Sequence, residues 1–169
     1  MWHTIFIAVH AVAGGIALLA GCVAIGRSAL FGTYLWSLVA MEVFLVLTIA
    51  AEWAVIDVAT WVTFAAFALL GLFMVWRADQ ARRVQPTGSA GPSVSYVAHV
   101  GFTLVALFDA FIVILVLNLG AFGWLVAAAG VLIAVAGHFV LRAVRERLVG
   151  SVGGQGGVSL AGWAPPGIE

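Results

Sequence analysis

Five long apolar stretches separated by short polar breaks set the organisation of this chain. The first runs from about residue 4 to 25 and stops at Gly26-Arg27. The second runs from about 34 to 54 and is interrupted by Glu42 and Glu52. The third covers about 60–76 and ends in Arg77, and the fourth covers about 97–119. The fifth covers about 124–141 and continues into Arg142-Ala-Val-Arg145-Glu146-Arg147. Apolar positions are continuous rather than alternating, which predicts helices and not strands. Each stretch is close to the ~20 residues that cross a bilayer core. The segment Ala78 to Ser95 holds Asp79, Gln80, Arg82, Arg83 and two prolines, and is the one substantial loop expected inside the bundle. Gly120 to Gly123 form a tight turn. Residues 1–148 thus make one transmembrane domain, and 149–169 a glycine-rich tail expected to be flexible.

Composition agrees. Of 169 residues, 64% are hydrophobic and 8% are charged, against about 25% charged in soluble domains. A surface with so few charges suits lipid, where the backbone must satisfy its own hydrogen bonds. The expected fold is an all-α polytopic transmembrane bundle of five spans. The first stretch lacks a basic n-region and a small-residue cleavage site, so it reads as a retained helix. Cys22 reads as a small buried apolar residue.

Charge orients the bundle. There is no lysine, and the seven arginines are Arg27, Arg77, Arg82, Arg83, Arg142, Arg145 and Arg147. Five alternating spans put all of them on one side. Positive residues stay cytoplasmic, so the N-terminus is expected outside and the C-terminus in the cytoplasm. Trp2, Trp53, Trp61 and Trp124 fall at the outer boundary, and Trp36 and Trp76 at the inner one, as interfacial anchors do. The basic segments suit anionic lipid. A net charge of zero argues against a nucleic-acid partner.

Ionisable residues inside a span are costly and are candidates for function. His99 and His138 lie at similar depths, roughly 5 Å inside the inner boundary, on helices joined by a tight turn. Two imidazoles so placed can ligate a b-type haem or another metal, or bond to carbonyls and head groups. His10 shares a stripe with His3, Gly14, Ala17 and Gly21. Small residues there permit close helix packing, with His10 as an interhelical hydrogen bond. Glu42 and Asp109 lie nearer mid-membrane and suit a cation or proton site, or, for Asp109, an uncharged hydrogen bond between helices. Asp109 lines up with Phe102, Val105 and Val116, whereas His99 lines up with Thr103, Ala106 and Ala110. A path through both therefore needs a bridge such as Glu42 or water. Glu52, beside Trp53, reads as solvated.

The chain carries no G-x-x-x-x-G-K-[ST], H-E-x-x-H, C-x-x-C or G-x-S-x-G pattern, so an enzyme ranks last. The first span, His10-Ala-Val-Ala-Gly14-Gly-Ile-Ala-Leu-Leu-Ala-Gly21, resembles the His-x3-Gly-x2-Ala-Leu-x2-Gly opening of small polytopic bacterial membrane proteins of unknown function. Tyr96-Val-Ala-His99-Val-Gly-Phe and Ala136-Gly137-His138 fit the same resemblance. That family shows further histidine and arginine residues after its first helix, where this chain has Phe31-Gly32-Thr33-Tyr34. The resemblance implies a bacterial plasma-membrane setting and no activity.

Three readings follow. Ranked first is a non-catalytic subunit or assembly protein, partnered by a larger complex or by copies of itself, with Gly14/Gly21 and Gly130/Gly137 at close helix contacts. The second is a haem- or metal-binding redox protein using His99 and His138. The third is a proton-linked transporter or channel using Glu42 and Asp109.

Overall fold

The computed structural model describes residues 2–26, 28–53, 57–86, 92–120 and 122–155. Five helices carry them: α1 (Trp2–Gly26), α2 (Phe31–Glu52), α3 (Val58–Arg83), α4 (Val94–Asn118) and α5 (Gly123–Gln155). A single 3₁₀ turn, Ser28–Leu30, leads into α2. All five helices are long and apolar enough to cross a membrane, and there is no strand among the described residues.

α1 packs on α2, α2 on α3, α3 on α4, and α4 back on α1. These four close into a ring whose diagonal pairs make no backbone approach. α5 stands outside the ring, seated on α4 alone. Neighbours run antiparallel. Gly14 lies against Met41 and Gly21 against Tyr34. Phe73 meets Phe102 edge-on, with centroids 5.4 Å apart, while Arg77, one turn on, meets Ala98. Gly101 lies against Leu141, and Val105 against Gly137. The described arginines of α3 and α5 therefore share one end of the bundle, with Trp36 and Trp76. Trp2, Trp53, Trp61 and Trp124 share the other, where Trp53 and Trp61 meet edge-on at 5.7 Å. Arg27 and the side chain of His3 lie outside the described residues.

The core of the ring rests on the small residues of α1. Ala13, Ala17, Ala20 and Ala24 are buried, and Gly14 and Gly21 lie among them. Helices in lipid associate by close packing, which small residues allow. Among the glycines of α1 the approach is tightest at Gly21, where a Cβ would sit 2.7 Å from Leu104 Cδ2 and 2.9 Å from Tyr34 Cδ2. Cys22, the next residue, is turned ~100° away. It is exposed on the outside of α1, not buried as the sequence suggested.

Several boundaries differ from the expected ones. α3 continues past Trp76 to Arg83, so the polar segment from Ala78 begins as helix. Asp79 holds that turn, pairing with Arg82 and Arg83 at 3.0 Å each, and Ala, Gln and Arg are good helix formers. α2 and α4 each begin three residues earlier than the apolar pattern alone predicts, at Phe31 and Val94. α5 runs beyond its apolar part to Gln155, with Arg142 and Glu146 paired across one turn at 2.9 Å. Residues 156–169, most of the expected tail, lie outside the described residues. In the α4–α5 turn Gly120 has φ +75°, a conformation that glycine adopts without strain.

Replacing Gly21 by isoleucine should therefore force Tyr34 or Leu104 aside and lower stability by about 1–3 kcal/mol. The same change at Gly15, where nothing lies within 4 Å of an added Cβ, should be close to neutral. Thermal unfolding of both variants in one detergent checks the contrast.

Candidate functional site

Glu42 sits near the middle of α2 and turns into the seam with α3. It is 5% exposed. Gly71, near the middle of α3, is what makes room: any Cβ there would collide with the Glu42 carboxyl. Both carboxyl oxygens are buried, and neither has a hydrogen-bond partner. The position beside Glu42 is held from α1, where the His10 Nδ1–H donates to the Met41 carbonyl at 2.8 Å. His10 is thus the interhelical hydrogen bond that its stripe suggested, and it fixes the register of α2 at the residue before Glu42.

The ring is tied further toward the arginine end. Thr103 on α4 donates its hydroxyl to the Val100 carbonyl at 2.8 Å. Its oxygen accepts from the Tyr34 hydroxyl, so Tyr34 spans the ring diagonal from α2 to α4. Tyr96 donates to the Ala24 carbonyl at 2.7 Å and so ties α4 to α1. Phe31 packs between the two tyrosines, with centroids 5.6 Å from Tyr34 and 5.9 Å from Tyr96. Toward the other end, the Thr48 hydroxyl donates to the Phe44 carbonyl at 2.8 Å within α2. Buried hydroxyls inside a bilayer need such partners, and each of these has one. The carboxyl of Glu42 does not.

Asp109 lies elsewhere. It faces α5, where a Cβ on Gly130 would stand 3.6 Å from its Oδ1. That oxygen is buried without a partner. Glu42 and Asp109 therefore occupy different seams, α2–α3 and α4–α5, and do not form the shared site that their similar depth suggested. The α5-facing strip of α4 carries Gly101, Val105, Asp109 and Val113, so the alignment of Asp109 with Val105 holds.

His99 and His138 are not brought together across that strip. His99 is two residues before Gly101, roughly 160° around α4 at ~100° per residue. It is half-buried, with Nδ1 unpartnered. His138 is exposed and packs edge-on against its neighbour Phe139, with centroids 5.9 Å apart. No group of three or more His, Cys, Asp or Glu converges among the described residues.

Sequence reading missed Gly71, Tyr34, Thr103 and Arg77. A lone glycine in the apolar run of α3 was the available signal for Gly71. The tyrosines offered none, because a tyrosine near a span end reads equally as an interfacial anchor. No family model, no curated protein and no solved structure matches the chain.

The Glu42–Gly71 contact has a direct test. Gly71→Ala should destabilise the protein by about 1–3 kcal/mol. Paired with Glu42→Ala, the same change should cost measurably less, a coupling of about 1 kcal/mol or more. A double-mutant cycle on unfolding in detergent reads it, and strict additivity would mean that the two residues do not touch.

Proposed function

We propose that this small integral membrane protein is proton-linked, with Glu42 as the group that takes up and releases the proton. The observation that carries this reading is the carboxyl itself: it is buried mid-helix in the α2–α3 seam, with both oxygens unpartnered over Gly71. A carboxylate charge removed from water with no cation or donor beside it costs several kcal/mol or more. The group is therefore neutral at rest and charged only in passing, or it is charged with a cation bound. Proton exchange needs the fewest parts, since no second carboxylate or ring of carbonyls has to surround an ion. A leucine would fill this seam without the cost, so the acid is there for its chemistry. Midway between the ends of α2, Glu42 is equally remote from both membrane faces, which suits a relay position. Gly71 gives the carboxyl its room in the seam.

The expected result is proton flux through proteoliposomes, read with an enclosed pH-sensitive dye under an imposed potential. Glu42→Gln, close in shape, should abolish it. Asp109→Asn, in the other seam, should leave most of it. Equal flux in wild type and Glu42→Gln would end this reading.

A second reading, that of a non-catalytic subunit of a membrane complex or of a homo-oligomer, draws support from α5. That helix is seated on α4 alone and turns the exposed His138 outward. A polar ring on an outer face is better matched by a neighbouring helix than by acyl chains. A chain that stays monomeric and without a companion in mild detergent would count against it.

A further inference from the structure

Three arginines at the arginine end, Arg77, Arg145 and Arg147, have no carboxylate partner among the described residues, and two of them lie at α4. Asp79 is already engaged by Arg82 and Arg83, and Glu146 by Arg142. Among the described residues no carboxylate pairs with Arg77 or Arg145. Arg77 leaves α3 and lies across α4. Its Nη2 donates to the Ala98 carbonyl at 3.1 Å, and its Cζ stands 5.2 Å from the centre of the Phe102 ring. Its Nε is buried and has no partner.

Arg145 approaches the same place from α5. Leu141, one turn earlier, packs on Gly101, so Arg145 comes level with the turn of α4 that holds Ala98. His99 brings no negative charge, and its Nδ1 is itself unpartnered. Arg77 is half-buried across α4 and Arg145 is exposed beside it, and among the described residues no carboxylate stands against either.

The backbone around them forms a furrow. α3 and α5 both lie on α4 and do not approach each other. They rest on adjacent strips of α4, α3 at Ala98 and Phe102 and α5 at Gly101 and Val105. Next to the arginines the floor between them holds the apolar Ala98, Phe102 and Val105, with Asp109 one turn beyond. A furrow with a doubly cationic mouth at a helix end and an apolar length behind it matches one chemistry: a phosphate diester at the mouth and an acyl chain along the floor.

We propose that Arg77 and Arg145 bind the phosphate of one anionic phospholipid, whose acyl chain lies in the furrow between α3 and α5. Basic pockets between transmembrane helices hold anionic head groups in this way. A guanidinium presents paired N–H donors that fit phosphate oxygens. Lipid, rather than a soluble anion, fits the site because the apolar Phe102 and Val105 lie directly behind the arginines. The bound lipid would also hold α5, which otherwise touches only α4, against α3.

Native mass spectrometry of the full chain in mild detergent tests this, with phosphatidylglycerol or phosphatidylcholine added and with inorganic phosphate as a separate arm. The expected result is one phosphatidylglycerol retained in about tenfold preference to phosphatidylcholine. That preference should fall to near unity in Arg77→Gln/Arg145→Gln. Arg145 is exposed, so Arg145→Gln alone should fold normally and still lose several-fold of the preference. Arg82→Gln/Arg83→Gln, which touches only the Asp79 pairs, should keep it. Equal retention of the two lipids, or unchanged preference in Arg145→Gln, would overturn the proposal. So would phosphate binding at the same arginines without any lipid preference, which would make this a soluble-anion site.

Discussion

Close approach at α1 is the constraint on which the bundle depends. In lipid there is no water to drive apolar surfaces together, so a ring of helices holds only where backbones come near and polar groups find partners. Gly14, Ala17, Gly21 and Ala24 give α1 a face with almost no side chain. Tyr34 and Met41 of α2 and Leu104 and Phe111 of α4 lie against it. Because α1 is so slim there, Tyr34 can reach past it to Thr103 on the far side of the ring, and Tyr96 can reach the Ala24 carbonyl. A larger residue at Gly21 would displace the side chain that crosses the diagonal. Packing and polar satisfaction are therefore one arrangement and not two.

Glu42 stands out against that economy. Every buried hydroxyl described in the ring has a partner, and His10 reaches the carbonyl of the residue next to Glu42. The carboxyl alone lies in a seam opened by a glycine with both oxygens unpartnered. At that depth an unpaired charge is among the most expensive things a membrane helix can hold. α5 plays a different part. It encloses nothing in the ring, carries Asp109's neighbour Gly130, and leaves a furrow beside α3 that ends in Arg77 and Arg145.

Much of the fold was legible in the sequence, because bilayer thickness and apolar length set the same ruler. Five spans, the short α4–α5 turn and the clustering of the arginines at one end all follow from that ruler. Helix ends were less legible, since ion pairs such as Asp79 with Arg82 and Arg83 extend α3 through residues that read as loop. The site was legible by residue type and not by partner. Glu42 and Asp109 both announced themselves as charges in apolar runs, but depth alone could not show that they face different seams. His99 and His138 matched in depth too, and only the strip of α4 that α5 covers separates them. Gly71 and Arg77 became meaningful once α3 was placed beside α2 and α4.

The central claim, that the Glu42 carboxyl carries an exchangeable proton inside the ring, is tested most directly by infrared difference spectroscopy in lipid. The account predicts a carboxylic-acid C=O stretch that shifts in heavy water, disappears in Glu42→Gln and persists in Asp109→Asn. A spectrum that is the same with and without Glu42 would contradict it.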